Sequence, residues 1–360
     1  MAGSTLGTIF KISTWGESHG KGVGVVIDGC PAGLPLAEED IQVYLDRRKP
    51  GQSTFTTARK EGDTVEILSG VFEGKTTGTP ISLVVHNSDQ RSHDYNTIMN
   101  TYRPGHADFC FDAKYGFRDY RGGGRSSGRE TIGRVAAGAI ACKMLIFYGI
   151  EVIAYTRSIG PFEFAPERFD LEERLRNRLC LPDVQAAAQA ENYLKEMIAA
   201  QDSAGGVIEC RITGVPAGIG EPVFDKLDAR LAMAVMSIGA VKGFEIGDGF
   251  AAAKARGSDN NDEFCPQPDG SIAKKTNHSG GILGGMSDGS EIIFRAAFKP
   301  TPSIAMTQNT VDREGNPVSI NIHGRHDPIV VPRAVVVVEA MAALTVLDLY
   351  LMNKSARVWQ

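Results

Sequence analysis

Two short turns each place a histidine where it could transfer a proton. The first, Gly-Glu-Ser-His-Gly (residues 16–20), exposes His19 between glycines, and the second, Arg-Pro-Gly-His-Ala-Asp (residues 103–108), holds His106 between an arginine and a carboxylate. Glycine permits tight turns and an imidazole titrates near neutral pH, so both histidines are candidate general acids or bases. Taken alone, each motif is equally well explained as a turn without a catalytic duty, the second with a local ion pair.

A glycine-rich loop, Tyr-Arg-Gly-Gly-Gly-Arg-Ser-Ser-Gly-Arg-Glu (residues 120–130), precedes a strongly predicted helix. Backbone N–H groups at a helix N-terminus, with Arg125 and Arg129 beside them, could bind an anion. Ser127 and Glu130 also have the spacing of a capping box, which by itself explains the serine, and both roles can coexist. The loop lacks the Gly-Lys-Ser/Thr ending of a P-loop.

Arginine is concentrated locally although the chain carries a formal charge of -5. A general nucleic-acid-binding surface is therefore not expected, whereas a site for a small anion is, because guanidinium groups match phosphate and carboxylate geometry. A solvated charged face is the alternative. The clustered residues are Arg103, Arg118, Arg121, Arg125, Arg129 and Arg134, with a second group at Arg47, Arg48 and Lys49.

Three later segments could also contact a ligand. Residues 277–285 contain two glycine pairs that permit close approach of a flat ligand, and residues 299–303 (Lys-Pro-Thr-Pro-Ser) suit a phosphate or ribityl chain. In Gly-Arg-His-Asp-Pro (residues 324–328), Pro328 favours an extended Asp327 that presents its carboxylate beside Arg325. Taken alone, residues 277–285 are better explained as an ordinary glycine loop, and residues 324–328 are equally consistent with a simple turn.

The elements that must position these groups are a mixture of strands and helices. Residues 207–213 alternate, with Ile208, Cys210 and Ile212 on one face. Further strands are predicted over residues 23–28, 64–72, 81–86 and 291–298. Helical periodicity predicts helices over residues 129–147, 183–200, 222–238 and 332–352, the first rich in alanine and therefore suited to close internal packing. No regular βαβ alternation is present, which favours an α+β fold.

Length and composition fit one compact domain spanning residues 1–360, with 42% hydrophobic residues. Neither a secretion signal nor an apolar run long enough to cross a bilayer is expected, so a cytoplasmic protein without membrane association is predicted. The six cysteines form no C-x-x-C pair, and we expect reduced thiols and no metal site.

Together, and in this order, these segments resemble the chorismate synthase family along essentially the whole chain. Residues 16–20, the loop at residues 121–131 and residues 325–328 look like its three signature regions. Residues 103–108, 236–249 and 299–303 are also similar. The resemblance implies helices sandwiched between antiparallel β-sheets in a single domain, which agrees with the α+β prediction.

The resemblance further implies a lyase of the shikimate pathway to aromatic amino acids. The reaction is the 1,4-anti elimination of phosphate from 5-enolpyruvylshikimate 3-phosphate, which gives chorismate and requires reduced FMN without net redox change. A homotetramer is also implied. Reduction of FMN by the chain itself with NAD(P)H and reduction by an external donor are both open, and the lack of an added nucleotide-binding segment favours an external flavin reductant.

By resemblance, His19 would protonate or hydrogen-bond the leaving phosphate, His106 would set the protonation state of the flavin pyrimidine ring, and Asp327 would keep flavin N5 basic. Substrate binding would fall to Ser18, Arg48, Arg103, Ser127, Arg129 and Arg325. FMN binding would fall to Arg125, Ser126, Ser127, Gly239, Ala240, Gly284, Lys299, Pro300, Thr301, Pro302, Ser303 and Arg325.

Two positions depart from the family pattern. Thr54 stands where relatives commonly have an arginine, which could weaken substrate binding or transfer that duty to Arg59 or Lys60. Gly239 replaces a frequent asparagine, at little expected cost because the backbone can serve there. Two other functions compete with this interpretation: a metal-dependent phosphatase, which lacks a recognisable ligand motif here, and a flavin-binding protein without turnover.

Overall fold

The fold was analysed in a computed structural model, which describes residues 3–51, 55, 62–87, 99–322 and 327–358. The helices are α1 (Glu38–Arg48), α2 (Asp108–Tyr115), α3 (Thr131–Phe147), α4 (Val184–Ala199), α5 (Leu227–Met236), α6 (Gly257–Asn260) and α7 (Val331–Asn353). The strands are β1 (Thr5–Leu6), β2 (Lys11–Gly16), β3 (Gly22–Asp28), β4 (Val65–Ser69), β5 (Val71–Phe72), β6 (Lys75–Thr76), β7 (Ile81–His86), β8 (Glu151–Ile159), β9 (Phe162–Glu163), β10 (Gly206–Thr213), β11 (Val241–Ile246), β12 (Phe264–Pro266), β13 (Ile272–Lys274), β14 (Ile282–Leu283), β15 (Met286–Ser287), β16 (Ile292–Phe298), β17 (Gln308–Val311) and β18 (Pro317–Ile320).

Two five-stranded antiparallel sheets form the outer layers. The first has the strand order β1-β2-β3-β7-β4 and the second the order β11-β16-β10-β8-β9. Helix α3 packs on β3 of the first sheet, α7 packs on β8 and β10 of the second, and α3 and α7 pack on each other. The predicted α+β fold with helices sandwiched between antiparallel sheets is confirmed.

Small residues bring these layers close together. A Cβ atom added at Gly138 of α3 would lie 2.3 Å from the Cβ of Ala340 in α7, and one added at Gly133 would lie 2.9 Å from the carbonyl oxygen of Gly24 in β3. The alanine-rich character of α3 therefore reflects helix–helix and helix–sheet distances that larger side chains do not permit, as the sequence predicts.

Helix α7 is the core helix of the molecule. Among the residues that the structure describes, it alone is long and apolar enough to cross a membrane, so the expectation that no apolar run has that length is wrong for this segment. However, 83% of its apolar window is buried. Buried Asp348 of this helix accepts hydrogen bonds from the backbone N–H groups of Thr8, Ile9 and Phe10. These bonds join α7 to the segment between β1 and β2, as expected for a helix in the protein core.

Most predicted elements form, with changes at their ends. The strand over residues 81–86 has the predicted bounds, and the helices over 129–147, 183–200 and 332–352 form as α3, α4 and α7. The strand over 64–72 divides into β4 and β5 because Gly70 has a φ of +84°. The helix over 222–238 is shorter than predicted, because α5 begins only at Leu227. The N–H group of Leu227 donates to the carbonyl oxygen of Gly285, and not to a carbonyl oxygen of a preceding helical turn.

Strand β10 shows the predicted alternation, with one difference. Ile208, Cys210 and Ile212 are fully buried, but Glu209 on the opposite face is also buried. Its carboxylate accepts hydrogen bonds from Tyr155, Arg157 and Arg295. Burial alone would raise the pKa of Glu209, but these neighbours hold it below its ordinary value.

We expect Gly138→Val to destabilise the fold by roughly 1–3 kcal/mol or more, because the new side chain must displace the backbone of α7. Urea unfolding of the two proteins measures the difference. Gly257→Ala is the matched control, since an added Cβ there meets nothing within 4 Å, and it should leave the unfolding free energy nearly unchanged. Equal midpoints for Gly138→Val and the wild type would contradict the described α3–α7 contact.

Candidate active site

A cavity of about 810 Å³ lies beside the turn at residues 103–108. Helices α3 and α7 begin at this cavity, and α5 ends there. Its size falls within the range of small-molecule and cofactor sites. Of the residues predicted to act in the site, the cavity is lined by His106, Asp327, Arg48, Arg103, Ser127, Arg129, Arg125, Ser126, Gly239, Ala240, Lys299, Thr301, Pro302 and Ser303. Segments far apart in the chain thus converge on one space.

The cavity wall is basic although the chain is acidic. Nine lysine and arginine side chains line it against five aspartate and glutamate side chains. The protein around a cleft has a low dielectric constant, so the positive potential of these side chains is concentrated inside the cleft and attracts anions. This cavity is therefore the candidate location of the predicted anion site.

His106 is held by hydrogen bonds at both ring nitrogens. Nδ1 lies 3.1 Å from the carbonyl oxygen of Pro104, and Nε2 lies 2.8 Å from Oγ of Ser303. Since a carbonyl oxygen can only accept, Nδ1 carries a proton, and the neutral ring accepts the Ser303 hydroxyl at Nε2. The ring is half-buried and oriented at the cavity wall.

His19 lies just behind the glycine-rich loop. A Cβ atom added at Gly122, which lines the cavity, would lie 2.5 Å from Nδ1 of His19 and 3.1 Å from Oγ of Ser18. Ser18 is buried, and its hydroxyl is 3.1 Å from Nδ1 of His19. The absence of a side chain at Gly122 therefore lets the loop lie directly on the imidazole.

This contact predicts a large effect for a small change. We expect Gly122→Ala to displace His19, which the sequence predicts to act as a general acid or base, and therefore to lower kcat/KM by roughly 100-fold, as a misplacement of about 1 Å can. Gly128→Ala, in the same loop but with no atom within 4 Å of the added Cβ, is the control. Steady-state kinetics of both variants provide the test, and full activity in Gly122→Ala would show that the loop does not position His19.

Arg48 and Arg129 form a buried pair of cations in the cavity wall. Both are more than nine-tenths buried, and both bind the carboxylate of Asp63, Arg129 Nη1 at 3.1 Å from Oδ1. Burial, with the charges of Arg333 and Arg129, lowers the pKa of Arg48 to about 10 although Asp63 acts in the opposite direction. An anionic ligand between these groups would relieve that imbalance.

Two other predicted ligand-binding arginines are engaged by the protein itself. Arg103 forms a bidentate pair with Asp108 at 2.8 Å for both contacts, so the ion pair expected in this turn is present. Burial alone would raise the pKa of Asp108, but Arg103 and Arg118 hold it below its ordinary value. Arg125 donates to Gly16 and other groups of β2, and its side chain thereby fixes the loop to the first sheet.

Ser127 caps the loop, but the capping box is only half formed. Its hydroxyl accepts from the N–H of Arg129 at 3.3 Å, at the start of a short 3-10 turn that leads into α3. The Glu130 side chain instead accepts from Thr14 Oγ1 at 2.8 Å and from Arg134 Nε at 2.7 Å. Glu130 therefore joins the loop to β2 and α3 instead of closing the cap.

Asp327 lines the cavity and is paired with Arg333 in the first turn of α7. Arg333 Nε also donates to the backbone oxygen of Arg48 at 3.1 Å. One arginine thus connects the carboxylate of Asp327 to the buried cation pair. No pattern in the sequence singles out Arg333, because a single arginine in an apolar helix is typical of a solvent-exposed end.

Besides the glycine-rich loop, two other segments contribute predicted flavin-binding residues to the cavity wall. Residues 299–303 adjoin the His106 turn, where Lys299 Nζ donates to the oxygen of Gly105 at 3.0 Å, and Gly239 and Ala240 lie at the turn between α5 and β11. An added Cβ at Gly239 meets nothing within 4 Å, so the departure from asparagine leaves open space.

Four described residues that were predicted to act in the site do not line the cavity: Ser18, His19, Gly284 and Pro300. Gly284 lies in the two-residue turn between β14 and β15, next to Gly285, which packs on Lys226 before α5. In residues 277–285 the close approach is between backbone segments: an added Cβ at Gly280 would lie 2.5 Å from the nitrogen of Gly247. Arg325, Thr54, Arg59 and Lys60 lie outside the described residues.

No group of three or more histidine, cysteine, aspartate or glutamate side chains that could hold a metal ion is present in the described part of the chain. Of the residues that a metal-dependent phosphatase would use, His106, Asp108 and Asp327 line the same cavity, but each is engaged by another side chain: His106 by Ser303, Asp108 by Arg103, and Asp327 by Arg333.

Comparison with known proteins agrees with this geometry. A family profile described as "Chorismate synthase" matches residues 10–351. The chain belongs to the chorismate synthase family. It is 68% identical to a chorismate synthase of Agathobacter rectalis, over 99% of this chain and 97% of that protein. It is 58% identical to one of Methanocella arvoryzae, over 97% and 94%.

A solved structure described as a crystal structure of chorismate synthase is 33% identical and has a TM-score of 0.78, covering 97% of this chain and 94% of that chain. The fold of the chorismate synthase family, two antiparallel sheets with helices between them, is thus the fold described above. The resemblance of residues 16–20, 121–131 and 325–328 to the family's signature regions agrees with the profile match.

Proposed function

We propose that this chain converts 5-enolpyruvylshikimate 3-phosphate to chorismate and phosphate by a 1,4-anti elimination that requires reduced FMN without net redox change. The observation that carries the proposal is the cavity, where the buried cations Arg48 and Arg129 and the oriented ring of His106 share one space. Family membership supplies the reaction class of a carbon–oxygen lyase.

The cavity residues fit FMN. Its wall carries an excess of basic side chains suited to a phosphate, and residues 299–303 provide a lysine and two hydroxyl groups. Oγ1 of Thr301 is buried with no hydrogen-bond partner among the described residues, so a polar ligand atom there would satisfy it. Lys299, Thr301 and Ser303, with the loop at residues 124–127 and the turn at Gly239 and Ala240, would hold the cofactor.

The reaction breaks a C–O bond at one carbon and a C–H bond at another, and a new double bond forms as phosphate leaves with the bonding electron pair. When bound, reduced FMN supplies a soft electron donor for the electron-poor ring and an acceptor for the proton. Arg48 and Arg129 bind the anionic groups of the substrate and stabilise negative charge on the departing phosphate.

His19, which lies behind Gly122 with Ser18 at its Nδ1, would protonate or hydrogen-bond the leaving phosphate. His106 holds a proton at Nδ1 against Pro104 and presents Nε2 with Ser303 toward the cavity, where it would set the protonation state of the cofactor's pyrimidine ring. Asp327, fixed by Arg333, supplies a carboxylate that would accept a hydrogen bond from flavin N5 and keep that nitrogen basic.

We also infer that the chain acts as one domain, as a homotetramer, in the cytoplasm, and with flavin reduced by an outside donor. The hydrophobic core is largely one cluster that includes residues from both sheets and from α3 and α7, which supports the single domain. All six cysteines are unpaired, which suits a reducing compartment.

Phosphorus NMR of an anaerobic reaction tests the proposed chemistry. With reduced FMN present, the phosphate-ester signal should be replaced by inorganic phosphate, with one chorismate formed for each phosphate released. Release of phosphate without chorismate would indicate hydrolysis and favour the phosphatase. Tight FMN binding without any change of the ester would favour a flavin-binding protein that lacks turnover.

A further inference from the structure

Asp63 lies directly behind the two buried cations of the cavity wall. Its side chain is fully buried, with Oδ2 bonded to Arg48 Nη2 and Oδ1 3.1 Å from Arg129 Nη1. Both arginines line the cavity, but Asp63 does not. Each carboxylate oxygen therefore binds a different guanidinium group, and Asp63 holds the two arginines without lining the cavity itself.

The carboxylate of Asp63 is needed to offset the positive charges of the two buried arginines. Arg48 and Arg129 are buried close together, and two like charges removed from water repel each other strongly. Asp63 offsets part of that repulsion, while Arg333 adds a third cation that is itself paired with Asp327. Among these five described residues, three cations thus face two anions, which leaves a positive charge for an incoming anion.

The first sheet fixes where this carboxylate lies. Val65 of β4 pairs with Val85 of β7, so Asp63 and Asn87, each two residues beyond that antiparallel pair, project at the same end of the two strands. Asp63 has a φ of +47°, an uncommon conformation for a residue other than glycine. The strand register therefore brings two polar residues to Arg129 together.

Asn87 connects the same arginine to the His19 turn. Its Oδ1 accepts from Arg129 Nε at 2.8 Å, and its Nδ2 donates to the backbone oxygens of Glu17 at 3.0 Å and Gly20 at 2.8 Å. Arg129 is thus held at two different nitrogens by side chains from the ends of β4 and β7.

We propose that Asp63 is a positioning residue that sets the separation and orientation of Arg48 and Arg129, and so creates the site for the anionic groups of the substrate; Asn87 supports it at Arg129. This inference rests on the proposed function. Asp63 touches neither substrate nor cofactor and acts only through the two arginines.

Asp63→Asn is the most direct test. The amide keeps the shape but offers one acceptor oxygen, so its NH₂ group must face one guanidinium donor and release that arginine. We expect KM and the dissociation constants for 5-enolpyruvylshikimate 3-phosphate and for inorganic phosphate to rise roughly 100-fold. The FMN dissociation constant should stay within a few-fold of wild type, and kcat should fall less than KM rises.

Asp63→Glu provides a second variant in case Asp63→Asn does not fold. It keeps the charge but advances the carboxylate by one methylene group, and we expect phosphate binding to weaken about 10-fold. A role limited to charge neutralisation would leave this variant at wild-type affinity. Asp46→Asn, which removes an exposed ion pair with Lys49 on the same helix as Arg48, is the control and should change neither constant.

Calorimetric titration with inorganic phosphate separates this inference from the proposed function. Wild-type chain that binds phosphate but forms no chorismate would refute the proposed function, while weaker phosphate binding in Asp63→Asn than in Asp46→Asn would still support the role of Asp63. The inference is overturned if folded Asp63→Asn retains wild-type phosphate affinity, if it loses FMN and phosphate affinity in the same proportion, or if the wild type binds neither phosphate nor the substrate.

Discussion

Replacing His106 with alanine is expected to lower kcat by roughly 10²–10⁴-fold, the range associated with loss of a general acid or base. The imidazole is held at Nδ1 by Pro104 and at Nε2 by Ser303, and an alanine side chain carries no group that can exchange a proton in its place. FMN should still bind, because the basic wall and residues 299–303 remain.

Replacing His19 with alanine should also lower kcat while FMN binding is kept, because the leaving phosphate would lose the group proposed to protonate it.

The control for both histidine variants is His86→Ala. His86 ends β7, its side chain is 73% exposed, and it does not line the cavity. Single-turnover kinetics with FMN bound beforehand separate chemistry from binding. Wild-type turnover in either His106→Ala or His19→Ala would overturn the roles assigned to these rings.

Replacing Arg129 with alanine is expected to reduce kcat/KM by roughly 10²–10³-fold, because removal of one partner from a buried charge pair typically costs about 2–5 kcal/mol. The change removes a cavity cation and also leaves Oδ1 of Asp63 and Oδ1 of Asn87 without the donor that each accepts from. Arg129→Lys should recover only a small part of the activity, since an ammonium group cannot reproduce the planar fork that contacts both side chains.

Arg121→Ala is the matched control for this prediction. Arg121 lies in the same glycine-rich segment, but its ion pair with Asp119 is about half exposed, and exposed pairs contribute little. Its kcat/KM should stay close to that of the wild type. A loss as large as that of Arg129→Ala would mean that general charge in the loop, and not the buried geometry, is responsible.

The sequence predicts which helices and strands form better than it predicts where they begin and end. Periodic apolar residues identify α3, α4, α7 and most strands of the two sheets, because burial on one face leaves a regular pattern. Helix α1 was not predicted, since Ile41, Leu45 and Arg48 are its only buried residues and form a narrow stripe. The start of α5 depends on the distant Gly285, which a local pattern cannot show.

The candidate site divides in a similar way. Turn histidines, the glycine-rich loop and the arginine cluster are recognisable because their residue types and spacing are unusual, and the structure brings His106, Arg48 and Arg129 to one cavity. Asp63, Asn87 and Arg333 were missed. Each is a polar residue of a common type, and its importance arises only when strand register and helix packing place it beside a buried arginine.

The central claim is turnover that depends on reduced flavin, and an anaerobic assay with 5-enolpyruvylshikimate 3-phosphate measures it most directly. Chorismate formation is followed by absorbance with dithionite-reduced FMN, with oxidised FMN, and without flavin. We expect chorismate only with reduced FMN, and we expect Arg129→Ala to form almost none. Equal product with oxidised FMN, or no product although flavin and substrate are both shown to bind, would contradict it.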